Sequence, residues 1–383
     1  MKIWVIGRSY PEPGNNMSGS FELEQAKMLQ KNGNEVSYLC CSLHPNKKIR
    51  RWGYQRWKDD GIKVYSDSER FFPRISPFYF LKRRNCIWSR FFEQVKKEDG
   101  IPDIIHVHYP AMLMIADALY PYHKMGVKVV ITEHWTKVLS QSLDRTELKA
   151  YRKYFEYIDS CVCVGSPLAN SVKKLVGDTR TPIHIVPNVV DSEFKPMHSN
   201  HEGFEFIAVG RLVKVKQFDQ IIRAFSDCFR GKDAHLLIIG GGEEYNSLKS
   251  LIIKLSMEKQ ITLEGSLPRK EVAEKIAKAD CLVCYSRFET FGVPIIEAWA
   301  CGIPTTATTT VAAVIDNFDK RLGVKVHYDN LEELKEKMIY MYENISLFDK
   351  KYISEFAQER FSEHAVYKQI DGVYVNCMKH YND

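Results

Sequence analysis

Short apolar runs alternate with amphipathic stretches along most of the chain. Lys2–Ile6 is an apolar run that passes into a loop rich in Pro, Gly and Asn, ending at Ser18. Phe21, Leu23, Ala26, Met28 and Leu29 then recur at helical spacing, Asn32-Gly33-Asn34 stops that helix, and Val36–Cys40 resumes as strand. Ile104–Val107, Val127–Thr132, Ser160–Val164 and Ile183–Val186 read as further buried strands. A second series opens near Phe204. Phe206–Val209, Ala234–Ile239, Ile261–Leu263 and Cys281–Tyr285 read as strands, and Phe218–Phe229, Tyr245–Leu255, Pro268–Ala279 and Val293–Cys301 as the helices that follow them.

Buried strands alternating with helices predict parallel sheets covered on both faces. The polar stretch Val190–Gly203, with Pro196 and two histidines, is the best linker candidate. The expected fold is therefore α/β, with two doubly wound, Rossmann-like parallel-sheet domains. Their expected bounds are residues 1–195 and 203–355, with a helical tail over 356–383 that could cross back to the first domain. In such sheets ligands bind beyond the carboxyl ends of the strands, so the loops that follow strands are the places to search for chemistry.

Composition narrows the class without naming a function. The length of 383 residues fits two domains, and 45% hydrophobic with 27% charged residues is close to globular averages, against disorder, collagen or coiled coil. No apolar run approaches the ~20 residues of a spanning helix. The first apolar run is cut short by Gly7-Arg8, so no secretory signal is expected. The ten cysteines include Cys161 and Cys163 in one apolar run and Cys281 and Cys284 in another. The second pair has zinc spacing, but no further pair accompanies it, and residues three apart on a strand face opposite sides of the sheet. Buried, reduced thiols and a cytoplasmic setting are the expectation.

Charge is uneven. Residues 1–190 hold 29 Lys and Arg against 19 Asp and Glu, whereas residues 191–383 hold 25 against 29. The stretch 47–97 alone has 15 basic and five acidic residues, with 12 aromatics that include Trp52, Trp57, Phe71, Phe72, Phe78, Phe80, Trp88, Phe91 and Phe92. Lys82-Arg83-Arg84 lies between two of the aromatic clusters. Basic groups interleaved with Trp and Phe suit an anionic membrane surface, and the other reading is an aromatic core with solvated charges. No nucleic-acid recognition motif accompanies the charge, so nucleic acid is not an expected partner.

The chain has no Walker A sequence and no Gly-x-Gly-x-x-Gly. The loop after the first strand of the second series reads Gly210-Arg-Leu-Val-Lys-Val-Lys216, where cations facing helix N-termini form a natural phosphate site. The strongest local signal is Ser286-Arg-Phe-Glu-Thr-Phe-Gly-Val-Pro-Ile-Ile-Glu-Ala-Trp-Ala-Cys-Gly-Ile-Pro304, which follows a buried strand and opens a helix. Its N–H groups at Phe291, Gly292 and Val293 are placed to hold an anion at the positive helix end. Glu289 lies before that helix and Glu297 within it. Taken alone, both carboxylates could equally be caps or surface charges.

This segment resembles the Glu-x7-Glu signature of the family 4 (group 1) retaining glycosyltransferases, which have the two-Rossmann B-type fold with a central cleft. Gly210-Arg211 with Lys216, Ile239-Gly-Gly-Gly242, Leu263-Glu-Gly-Ser-Leu-Pro268, Asp103-Ile-Ile-His-Val-His108 and Ile185-Val-Pro-Asn188 extend the resemblance over nearly the whole chain. It implies a nucleotide-diphosphate sugar as donor and transfer to an acceptor hydroxyl, without cofactor or metal; the chain also has no Asp-x-Asp triplet. It implies that Arg211 and Lys216 pair with the diphosphate, Glu297 holds the ribose hydroxyls, Glu289 faces the transferred sugar, and Phe291–Val293 help hold the phosphates. His134, in Ile131-Thr-Glu-His-Trp135, matches the first-domain histidine that reaches the sugar. His106 reads as structural and His108 stays open.

Departures from the family pattern are equally specific. The loop before the first helix keeps one glycine, Gly19, where a Gly-Gly pair is usual. Gln217 and Val189 stand where glycine is common, and Thr308-Thr-Thr-Val-Ala-Ala-Val314 replaces the usual Gly-Gly-x-x-Glu. The expected acceptor is a glycan or lipid-linked acceptor in cell-surface polysaccharide or glycolipid synthesis, with residues 47–97 against the inner face of the membrane. A nucleotide-sugar epimerase or hydrolase of the same fold, and a silent sugar-nucleotide binding protein, are the alternatives.

Overall fold

The computed structural model describes residues 1–11, 19–44, 53–70, 77–198 and 201–379. Trp52, Phe71 and Phe72 lie outside the described residues, as does the side chain of Phe78. The chain forms two compact units, Met1–Val186 with the segment from Tyr367 onward, and Pro187–Val366.

Among the described residues, the first unit carries eight strands: β1 Lys2–Gly7, β2 Glu35–His44, β3 Gly53–Asp59, β4 Ile62–Arg70, β5 Ile104–His108, β6 Lys128–Glu133, β7 Ser160–Cys163 and β8 Ile183–Ile185. Their spatial order is β3-β4-β2-β1-β5-β6-β7-β8. All neighbours pair in parallel except β3 and β4. Ile3–Ile6, Ile104–Val107 and Val129–Ile131 are fully buried, as strands covered on both faces must be. The antiparallel β3–β4 hairpin departs from the all-parallel expectation. Its turn is Asp60-Gly61, both residues at positive φ (52° and 84°), which a tight hairpin turn requires.

The second unit carries β9 Phe204–Val209, β10 Ala234–Ile239, β11 Ile261–Gly265, β12 Cys281–Cys284, β13 Thr305–Thr308 and β14 Gly323–Val326. Every pairing is parallel, in the order β11-β10-β9-β12-β13-β14. That is the doubly wound order, with its switch point between β9 and β12. The helix Phe218–Phe229 buries Ile221, Ile222, Phe225 and Phe229 against Phe206 and its neighbours, which fixes the loop that precedes it.

The division between units falls earlier than the expected linker. Val190 donates its N–H to Phe361 O (2.8 Å), Phe194 is buried, and Asp191 pairs with Arg269 (2.9 Å), so the segment that reads as linker packs on the second unit. The tail is likewise divided. Phe356 and Phe361 pack on Trp299 of the second unit, whereas Tyr374 and Cys377 bond to His106 and Ser160 of the first. All ten cysteines are free thiols; eight are buried, but Cys86 is exposed and Cys228 half-buried, against the expectation that all are buried.

Candidate active site

The two strongest sequence motifs follow β9 and β12, the strands that flank the switch point of the second sheet, and the structure brings them together. After β9 the chain turns through Gly210, runs through a short 3-10 turn at Lys214–Lys216 and enters the helix at Phe218 with Gln217 left-handed (φ 51°). This loop lies against the glycine turn after β10. A Cβ on Gly240 would sit 1.8 Å from Gly210 O, and one on Gly242 would sit 2.3 Å from Leu212 O. The glycines are therefore what let the two backbones approach, with Leu212 N donating to Gly241 O (2.9 Å).

After β12, Ser286-Arg-Phe-Glu289 leads to Gly292 (φ 100°), which precedes the helix Val293–Ala300 with Pro294 in its first turn. Among the described residues the N–H groups of Phe291, Gly292 and Val293 donate to no protein acceptor, as expected of a helix start. The Phe291 side chain is buried, so only its main chain is available to a ligand. Lys216 Nζ lies 2.6 Å from Glu289 Oε1, and the same oxygen accepts from Ser286 Oγ at 2.7 Å and Cys284 Sγ at 3.6 Å. Burial alone would raise the Glu289 pKa, but the charge of Lys216 and these hydrogen bonds outweigh it and hold the carboxylate below its ordinary value. Ser286 is itself anchored, its carbonyl accepting from Thr308 Oγ1 (2.7 Å) and Thr310 Oγ1 (3.1 Å). The threonines that replace the family's glycine pair thus brace the Glu289 loop. Arg211 is exposed, and its side chain has no partner among the described residues.

Glu297 is treated in the opposite way. It is buried, and its one side-chain partner among the described residues, Arg269 Nη2 at 3.3 Å, is shared with Asp191. Burial pushes its pKa up to about 7, with Arg269 opposing and Asp191 reinforcing the shift. The two carboxylates, eight residues apart, have their pKa values driven in opposite directions by their surroundings, an arrangement typical of sites that divide roles between two acids.

In the first unit, the residues after β1, β5 and β6 build a column of stacked groups. Arg8 reaches Glu22 through Nε (2.7 Å) and lies over the Tyr109 ring at 3.6 Å. Tyr109 stacks on His134 (4.8 Å), His134 meets His108 edge to edge and nearly coplanar (centroids 5.3 Å, 15°), and His108 stacks on His106 (4.6 Å). His134 is half-buried, and burial with the charge of Arg8 pushes its pKa down to about 3, so its imidazole is neutral. Its neighbour Glu133 is buried and pushed up to about 7, accepting from the N–H groups of His134 (2.8 Å) and Trp135 (2.7 Å). His106 bonds to Thr132 Oγ1 (2.6 Å) and Tyr374 OH (2.5 Å), which gives it a structural task. Gly19 (φ 88°) has a local reason to be glycine, since a Cβ there would lie 1.9 Å from Ser9 O.

Sequence reasoning missed Arg8, Tyr109, Asp191, Arg269 and the bracing role of Ser286. Arg8 carried a usable signal, a cation in the loop after the first strand.

The sequence model of the group 1 glycosyl transferases matches residues 189–360, and that of glycosyltransferase family 4 matches residues 21–194. The chain belongs to this family of glycosyltransferases. It is 26% identical over 320 residues to N-acetyl-α-D-glucosaminyl L-malate synthase of Bacillus anthracis, covering 80% of this chain and 79% of that protein. Its fold is the two-Rossmann B-type glycosyltransferase fold. Sucrose-phosphate synthase of Thermosynechococcus elongatus superposes with a TM-score of 0.78 at 17% identity, over 99% of both chains. HepE of Anabaena, solved in complex with UDP, superposes with a TM-score of 0.73 at 17% identity, over 98% of this chain and all of that one (100%). Among the described residues no helix is long and apolar enough to cross a membrane.

Proposed function

We propose that this glycosyltransferase moves a sugar from a nucleoside-diphosphate sugar to an acceptor hydroxyl, with retention at the anomeric carbon and without a divalent metal. The observation that carries the reading is the contact between Lys216 and Glu289, with the N–H groups of Phe291–Val293 unpaired among the described residues. A diphosphate leaving group develops negative charge, and Lys216, Arg211 and the helix start supply fixed positive charge and donors for it. Glu289, held ionised, faces the transferred sugar and stabilises positive charge at its anomeric carbon. Glu297 accepts hydrogen bonds from the ribose. His134, from the first unit, contacts the transferred sugar, and Gly19 lets main chain approach donor or acceptor. The complex of HepE with UDP supports a nucleotide donor for this fold.

The acceptor in this reading is a glycan or lipid-linked acceptor in cell-surface polysaccharide or glycolipid synthesis, met in the cytoplasm at the inner face of the membrane. The first test is thermal stability against uridine, guanosine, cytidine and adenosine diphosphates, since a ligand that binds only the native state raises apparent stability. One diphosphate stabilises the chain in this reading, and its sugar conjugate then supports transfer in the presence of a chelator. Activity lost to the chelator and restored by manganese contradicts the metal-free assignment.

A further inference from the structure

Among the described residues the cluster of imidazoles contains one fully buried polar atom without a partner, and it decides where the protons lie. His108 is buried, and its Nε2 has no hydrogen-bond partner among the described residues. Its Nδ1 lies 3.0 Å from His134 Nε2, so one of these two nitrogens carries the proton between them. If His134 supplied it, His108 would be protonated at Nε2 instead, leaving an N–H buried without an acceptor. Orphaned buried N–H groups are the rarest defect in folded proteins, whereas a bare acceptor is tolerated more often.

We infer that His108 is a positioning residue that donates from Nδ1 to His134 Nε2, fixing His134 as the neutral tautomer with its proton on Nδ1. The Nδ1 of His134 has no partner among the described residues, so this arrangement presents a hydrogen-bond donor, not a base. The ring is also clamped in orientation. Tyr109 packs on its face at 27°, and His108 meets its Nε2 edge nearly coplanar at 15°, with the Arg8 guanidinium over Tyr109 and tied to Glu22. Burial and the charge of Arg8 together keep both imidazoles neutral. A fixed Nδ1–H suits an acceptor oxygen, such as a sugar hydroxyl, and cannot take a proton from the attacking hydroxyl through that nitrogen. The inference rests on the reading above only in assigning His134 to the sugar; the tautomer itself follows from the first unit alone.

The experiment is nitrogen-15 spectroscopy of histidine side chains in the full chain, with His134 identified by its loss in the His134→Asn spectrum. Protonated and bare ring nitrogens resonate in separate ranges. The expected result is a protonated Nδ1 and a bare Nε2 on His134 between pH 6 and 8; a protonated Nε2 overturns the inference. In His108→Leu the donor is gone and His134 should shift toward its Nε2–H form, the one free histidine favours. Transfer should then fall by about 10-fold or more in kcat with little change in donor KM. His108→Asn, whose amide can stand where Nδ1–H stood, should restore both the tautomer and part of the rate. A His108→Leu chain with the His134 tautomer and kcat unchanged overturns the inference. Unaltered transfer by His134→Leu refutes instead the assignment of His134 to the sugar, and leaves the spectroscopic result standing.

Discussion

Lys216 and Glu289 meet at 2.6 Å across the switch point of the second sheet, although 73 residues separate them in sequence. Each sits on a loop that leaves the carboxyl end of a strand, and β9 and β12 are neighbours. Parallel topology therefore brings together two motifs that the sequence presents as unrelated. The pair is nearly buried, with side-chain exposures of 20% and 10%, so neither charge is well solvated and each depends on the other.

Lys216→Ala is expected to reduce kcat on the order of 100-fold, the usual cost of removing one fixed donor from a developing anion. It also removes the main counter-charge that holds the Glu289 pKa down. The acid limb of the pH–rate profile should therefore move to higher pH, because the carboxylate now protonates more readily. Steady-state rates measured across the acid range with an authentic donor check both effects. Unchanged kinetics would remove Lys216 from the site.

Glu297 yields a prediction about stability as well as binding. Its ordinary pKa is 4.5 and burial raises it to about 7 in the folded chain. Below pH 4.5 the group is protonated in both states and contributes no pH dependence. Between pH 4.5 and 7 the unfolded chain ionises first, so the native state loses stability as pH rises, by about 3 kcal/mol in all. Glu297→Gln abolishes that loss. The Tm of the variant relative to the parent should be higher at pH 8 than at pH 5. Its donor KM should rise with a smaller change in kcat, as for a contact equal in ground and transition states. Glu289→Ala should instead depress kcat. The reverse kinetic pattern would exchange the two assignments.

Gly240→Ala tests whether the phosphate loop depends on the glycine turn beside it. The new methyl would meet Gly210 O, and φ of 153° is a region that side chains rarely adopt. A cost of about 1–3 kcal/mol for the strain alone is expected, with more for the clash. Displacing Gly210 moves Lys216 with it, so chemical denaturation and donor KM should both worsen. Gly231→Ala, also at positive φ but with open space around its Cβ position, is the control and should leave KM unchanged.

The strand pattern was legible because buried parallel strands are continuous apolar runs, and the candidate loops were legible because they follow those runs. The β3–β4 hairpin was missed despite Asp60-Gly61, since β3 is a half-exposed edge strand in a segment dominated by charge. The linker was misplaced because Phe194 and Asp191 look polar-flanked in sequence and acquire partners only through Phe361 and Arg269, far along the chain. Arg8, Tyr109 and His108 became a unit only when β1, β5 and β6 were laid side by side. No spacing rule reports a ring stack built from three strand ends.

The basic-aromatic segment gives the last prediction, and the structure changes which residues can carry it. Trp88, Phe91 and Phe92 are buried on the inner face of the helix Pro77–Asp99, in ring contact with one another, so they belong to the core. Arg84 is committed as well, donating to Met112 O (2.8 Å) and Leu113 O (3.0 Å). Arg56 and Arg90 are paired with Glu98 and Glu69. In the first part of this helix Tyr79 is 66% exposed, and Lys82 and Arg83 are exposed. An exposed tyrosine beside two cations suits a headgroup layer, each cation adding roughly 1 kcal/mol near an anionic surface. Co-sedimentation should therefore be stronger with vesicles containing anionic lipid than with neutral ones. Changing Lys82 and Arg83 to Ser should weaken it by roughly 10- to 30-fold. Arg84→Ser is excluded from the test because it strips two part-buried carbonyls of their donor and lowers stability on its own. Equal binding to neutral and anionic vesicles, or binding indifferent to the double change, would return these charges to the role of a solvated surface.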